Sequence, residues 1–169
     1  LRCGPPERQK PQEEGRTVNK YMIHLNTRRC IGCHGCEVHC KTNKGLPVGP
    51  ILCEIDHKPL RSIRGVPKTE FSFKACYHCE DPFCVPVCPT GAMTKRADGI
   101  VYVDFDKCIG CMACQGACPW QIPQHNQETN KAVKCDLCMD RVDKGLKPAC
   151  VTKCTTHALK FVTLNEAGL

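Results

Sequence analysis

The chain has 169 residues, only 5% of them aromatic, and eighteen cysteines; that is enough length for one domain but too little large apolar surface to hold it by packing alone, so disulfides or metal must supply the constraint. No run approaches the roughly 18 apolar residues of a membrane helix, so no membrane span is expected in this chain. A cytoplasmic location is expected, with export alongside a partner subunit left open. The formal charge of +7 suggests a polyanionic partner only if every thiol stays neutral.

In chain order, residues 1–20 carry Pro5, Pro6 and Pro11 among mixed charges and have almost no large apolar side chain before Val18. That composition predicts an N-terminal arm that is mobile or bound to a partner, ahead of one domain over 21–169. Tyr21, Ile23 and Leu25 alternate along the next segment, predicting a strand. Residues 41–75 are rich in Gly and Pro and read as a long connection, with a short strand at Phe71-Ser72-Phe73 before the second cysteine group. Val101, Val103 and Phe105 predict a third strand, and Lys160–Leu164 a fourth.

Sixteen of the cysteines fall in four groups of four, which is not how a disulfide framework spreads them, and no charged-then-apolar leader precedes them. Cys30, Cys33, Cys36 and Cys40, and again Cys108, Cys111, Cys114 and Cys118, have the C-x2-C-x2-C-x3-C spacing of ferredoxin ligands. In that run three thiolates grasp one cluster, while the fourth turns toward a second. Cys76, Cys79, Cys84 and Cys88 insert two residues before the third cysteine, and Cys135, Cys138, Cys150 and Cys154 open that gap to eleven. The sixteen thiolates predict four [4Fe–4S] clusters. Each oxidised cluster with four thiolates carries about −2, so four bring about −8 and the whole falls to about −1. The basic residues then balance clusters, and no nucleic-acid partner is expected.

Cys88-Pro89 and Cys118-Pro119 mark the second and third groups as a pair. Exchange of last cysteines then predicts Cys76, Cys79, Cys84 and Cys118 on one cluster and Cys88, Cys108, Cys111 and Cys114 on another. By elimination, Cys30, Cys33, Cys36 and Cys154 hold a third, and Cys40, Cys135, Cys138 and Cys150 a fourth. An internal repeat supports a duplicated unit: Cys88-Pro-Thr-Gly-Ala-Met matches Cys154-Thr-Thr-His-Ala-Leu, and Lys107-Cys-Ile-Gly-Cys echoes Arg29-Cys-Ile-Gly-Cys. The expected fold is α+β, with two interleaved ferredoxin-like halves, each binding two clusters. A structural zinc module is the rival that paired C-x2-C motifs raise. A C-x3-C-x2-C radical site is absent, since Asn43, Gly91, Gln121 and His157 occupy the positions it needs.

Over about Lys20 to Phe161 the chain resembles the four-cluster iron–sulfur subunits of the dimethyl sulfoxide reductase superfamily of molybdenum and tungsten enzymes. The likeness rests on Cys76-Tyr-His-Cys-Glu-Asp-Pro-Phe-Cys84 and Cys135-Asp-Leu-Cys-Met-Asp-Arg141 as well as on the unequal gaps. It implies an electron-transfer subunit without turnover of its own, a pterin-bearing molybdenum or tungsten catalytic partner, and a further redox subunit or acceptor. The chain is also similar to the polyferredoxin subunits of tungsten aldehyde oxidoreductases, and a free polyferredoxin carrier is the alternative. The chain ends fifteen residues after Cys154, where many relatives continue, which favours a soluble complex.

Cys3 and Cys53 stand alone in sequence and read as spare thiols. His34, His39, His78 and His157 neighbour ligands and read either as loop residues or as donors to cluster sulfur, which raise its potential. Trp120 reads as a lid excluding water. No arrangement suited to substrate chemistry is found, so no catalytic residue is expected.

Overall fold

The computed structural model describes residues 21–163; the expected arm at 1–20, with Cys3, lies outside that span. The chain runs β1 (Tyr21–Leu25), α1 (Gly35–Asn43), β2 (Cys53–His57), β3 (Arg61–Ile63), β4 (Val66–Lys68), β5 (Phe71–Ala75), β6 (Met93–Lys95) and β7 (Val101–Val103). It continues through α2 (Ala113–Ala117), β8 (Gln124–Asn126), β9 (Lys131–Val133), α3 (Met139–Val142), α4 (Ala149–Thr152) and β10 (Leu159–Thr163). Helices and strands are both present, and every sheet is a two-stranded antiparallel ribbon: β1–β10, β2–β5, β3–β4, β6–β7 and β8–β9.

The order of these ribbons follows the cysteine groups. Each group is entered from one strand and left toward another, and the leaving strand pairs with the strand that enters the next group. Thus β2 pairs with β5 across the first connection, β6 with β7, and β8 with β9; β10 then returns to β1, with Tyr21 opposite Thr163 and Leu25 opposite Leu159. Asn26 N–H donates to Ala158 O at 2.8 Å, extending the β1–β10 ladder, and Tyr21 stacks on Phe161 with centroids 5.1 Å apart.

Residues 41–75 hold more structure than their Gly and Pro content suggests. The β3–β4 hairpin turns through Arg64 and Gly65, both at positive φ (53° and 79°), which is the twist a two-residue hairpin loop needs. Its strands are fully exposed, and Pro67 is tolerated because the ribbon is all edge. The third expected strand ends at Val103: Asp104 Oδ1 accepts from Asp106 N–H, a turn that leaves Phe105 outside the ribbon and exposed.

Two apolar clusters form the core. One gathers Leu52, Ile55, Ala75, Val133, Val151 and Leu159 with the buried cysteines 36, 40, 53, 135 and 150; the other gathers Met93, Val101, Val103 and Ala132 with Cys84 and Cys114. Strand alternation sends Ala132 into the second cluster and Val133 into the first, so β9 lies at the seam between them.

Candidate iron–sulfur centres

All four C-x2-C openings bend the same way. The residue before the second cysteine takes a positive φ: Gly32 (65°), His78 (48°), Gly110 (72°) and Leu137 (53°). Gly110 has no substitute, because a Cβ there would lie 2.2 Å from the Asn130 carbonyl oxygen, and a Cβ on Gly32 would lie 2.4 Å from the Phe71 ring. After the fourth cysteine the repeat is again geometric. Gly91, Gln121 and His157 donate to the carbonyls of Cys88, Cys118 and Cys154 at 3.2, 2.9 and 3.0 Å, all three at positive φ. The sequence repeat around Cys88 and Cys154 is therefore a repeated turn.

The helices set where the thiols point. Cys36 and Cys40 lie one turn apart on α1, and both are buried. Its counterpart α2 stops before Cys118, which Pro119 holds in an extended conformation (φ −81°, ψ 117°). Helix α1 packs on α4, bringing Cys40 toward Cys150.

Three cavities are each lined by four cysteines drawn from two groups. One takes Cys76, Cys79, Cys84 and Cys118; another takes Cys30, Cys33, Cys36 and Cys154; the third takes Cys88, Cys108, Cys111 and Cys114. The remaining predicted ligands, Cys40, Cys135, Cys138 and Cys150, are all buried, with Asn43 Nδ2 donating to Cys138 Sγ at 3.9 Å. Beside them Lys44 Nζ bridges Asp136 and Asp140 at 2.8 Å each, and it draws the Asp140 carboxyl below its usual range.

This donor set fits an iron–sulfur cluster. Among the described residues no three His, Cys, Asp or Glu groups converge as they would on a single ion; the thiols instead surround a space, as a multi-iron group requires. Burial pushes the Cys84 and Cys138 thiols up to about 11 and the Cys135 thiol well above its ordinary value, so iron binding must expel their protons. Backbone N–H groups already aim at sulfur: Met93 at Cys88 (3.4 Å), Ala132 at Cys108 (3.4 Å) and His78 at Cys76 (3.5 Å).

Some expectations change. Cys53, read as standing apart, is 2% exposed; its thiol donates to Cys36 O at 3.6 Å and lies against the thiols of Cys150, Cys36 and Cys40. Its hydrogen bonds hold the Cys36 and Cys40 thiols below their ordinary value. Only folding of β2 brings it there. Of the four histidines, His157 is exposed and His39 half-buried, while His34 bonds Glu37 and His57 at 2.8 Å each and so ties α1 to β2. His78 is buried. Trp120 lines the Cys76 cavity beside Tyr77, as a lid would, with its outer side exposed.

Thiols gathered in fours with N–H groups aimed at sulfur define the class of cysteine-ligated iron–sulfur proteins. The chain belongs to the 4Fe–4S dicluster domain family, which matches residues 67–164. It is 40% identical over 154 residues to the thiosulfate reductase electron transfer subunit of Salmonella typhi, covering 90% of this chain and 80% of that one. It is also 40% identical over 161 residues to a component polypeptide of the anaerobic dimethyl sulfoxide reductase of Escherichia coli K12, covering 88% and 76%. A component of the tetrathionate reductase of Salmonella typhimurium is 39% identical over 154 residues, covering 90% and 60%. By this kinship the chain is an iron–sulfur electron-transfer subunit of a reductase complex rather than its catalytic subunit. Among the described residues no helix is long and apolar enough to cross a membrane.

Proposed function

We propose that this chain holds four [4Fe–4S] clusters in two interleaved halves and relays single electrons between a pterin-bearing molybdenum or tungsten catalytic subunit and a redox partner. The observation that carries the reading is the mixed lining of the three cavities, with three thiols from one cysteine group and the fourth from another. Crossed ligation extends to the buried set of Cys40, Cys135, Cys138 and Cys150. Each cluster, when bound, supplies one reversible electron.

The chain's own groups do the rest. Thiolates fix the iron, the N–H donors at Cys76, Cys88 and Cys108 offset sulfur charge, and Tyr77 and Trp120 limit water at one cavity. The relatives above belong to reductases of thiosulfate, dimethyl sulfoxide and tetrathionate, which favours a reductase partner over an aldehyde oxidoreductase.

The ligand test is Cys88→Ala. Wild-type protein should contain about sixteen irons per chain; the variant should lose the cluster of Cys108, Cys111 and Cys114 and keep that of Cys76, Cys79 and Cys84. Loss of the latter alone would overturn crossed ligation. Purification from the native host should bring down stoichiometric pterin and molybdenum or tungsten; a protein that arrives alone and reduces several unrelated enzymes is a free carrier.

A further inference from the structure

Lys134 follows β9 at the seam of the two cores and is 6% exposed. Its Nζ donates to the carbonyl oxygens of Val101 and Cys135, the latter at 2.8 Å, and to Cys76 Sγ at 3.5 Å. An ammonium has three N–H donors and no acceptor, and here three acceptors surround it. A neutral amine would turn its lone pair onto one of them.

Among the described residues no carboxylate pairs with this charge. A buried cation without an anion is costly. His78, its titratable neighbour, does not compete for the charge. Val101 N–H donates to its Nδ1 at 2.9 Å, so the ring carries a single proton, on Nε2. The negative charge that faces Lys134 must come from cysteine sulfur. Its side chain lines the Cys76–Cys79–Cys84–Cys118 cavity, while its backbone runs directly into Cys135.

We propose that Lys134 is the shared counter-cation of two clusters, the one in that cavity and the one at Cys40, Cys135, Cys138 and Cys150, raising both reduction potentials above those of Lys134-free variants. The proposal rests on the ligand assignment above. Reduction adds one electron, taking a cluster with its thiolates from about −2 to about −3, and no proton need move because the compensating charge is already in place. A fixed cation favours the more negative state. The two sites oppose each other only directly: once one is reduced, its added negative charge makes the other harder to reduce, while the contribution of Lys134 to each stays the same. Lys134 is in this sense a positioning residue for the relay, touching a ligand and not a substrate.

The test is a potentiometric titration, followed by electron paramagnetic resonance, of the native complex carrying wild type, Lys134→Met, Lys134→Gln or Lys134→Arg. With all irons retained, Met and Gln should shift two of the four potentials downward and leave the others in place, and Arg should hold them near wild type. Gln keeps N–H donors for the carbonyls and supplies the readout if the Met variant does not assemble. Four unchanged potentials, or an equal shift of all four, would overturn the proposal while the ligand assignment stands. Retention of full iron by both Cys76→Ala and Cys135→Ala would overturn the assignment, and the proposal with it.

Discussion

Around Val101 the core is assembled wholly from residues 84–132, whereas around Ile55 it joins Leu25, near one limit of the described residues, to Leu159, near the other. The first region is closed by two local hairpins of three-residue strands, β6–β7 and β8–β9. The second needs the five-residue β1–β10 ladder and the packing of α1 on α4. The difference teaches that similar cysteine groups are served by local closure in one region and by distant closure in the other. Distant closure costs more loop entropy and must be repaid by more extensive pairing.

That contrast can be broken most directly at Leu159, which is 4% exposed. Leu159→Ala should cost about 2–5 kcal/mol and release the iron of the distant region at lower denaturant than that of the local one. Visible absorbance should then fall in two steps, the first shifted by the substitution. A single step, shifted as a whole, would show that the regions are not separable.

Two glycines give the next effect. Gly110→Ala meets a backbone carbonyl, which cannot turn aside, so its cost should lie toward the upper end of the roughly 1–3 kcal/mol typical of overpacking. Gly32→Ala meets only the Phe71 side chain. In a Phe71→Leu background, Gly32→Ala should therefore cost only about 1 kcal/mol more, the residual cost of a left-handed alanine. Denaturant midpoints of these variants and of Phe71→Leu alone check this ordering.

The smallest effect concerns a link between the regions. Arg96, after β6, holds Asp143, after α3, through two hydrogen bonds of 2.9 and 2.7 Å. Arg96 draws the Asp143 carboxyl below the usual range. A depressed carboxyl stabilises above its unfolded value of about 3.9 and loses that contribution only as pH falls through the lower folded value. The stability difference between wild type and Arg96→Met should thus be small and flat from about pH 5 to 8. A difference that changes across this window would assign it to another group.

Much of this was legible in the sequence. The groups of cysteines and the four strand segments announced themselves, because spacing and short apolar runs are local properties. Strands β3, β4, β6, β8 and β9 were not, since three residues carry too little period to read, and the five-residue β2 went unread inside the Gly- and Pro-rich connection. Neither Cys53 nor Lys134 carries any signal of its own. One lies in a Gly- and Pro-rich stretch and the other is one of 24 basic residues; what distinguishes them is burial beside sulfur, which only pairing of β2 with β5 and placement of β9 create.

The return of β10 to β1 leaves the series of ribbons without a first or last member. Tyr21 and Thr163 face each other across neighbouring strands, about 5 Å apart, so in a chain trimmed to residues 21–163 a short linker would join them. The exposed tip at Arg64-Gly65 then offers a place to open the chain while the four ribbons that join the cysteine groups keep their pairing. The order in which the cysteine groups are synthesised is thus separable from the order in which they are arranged, and a circular permutant beginning at Gly65 should assemble the same set of sites.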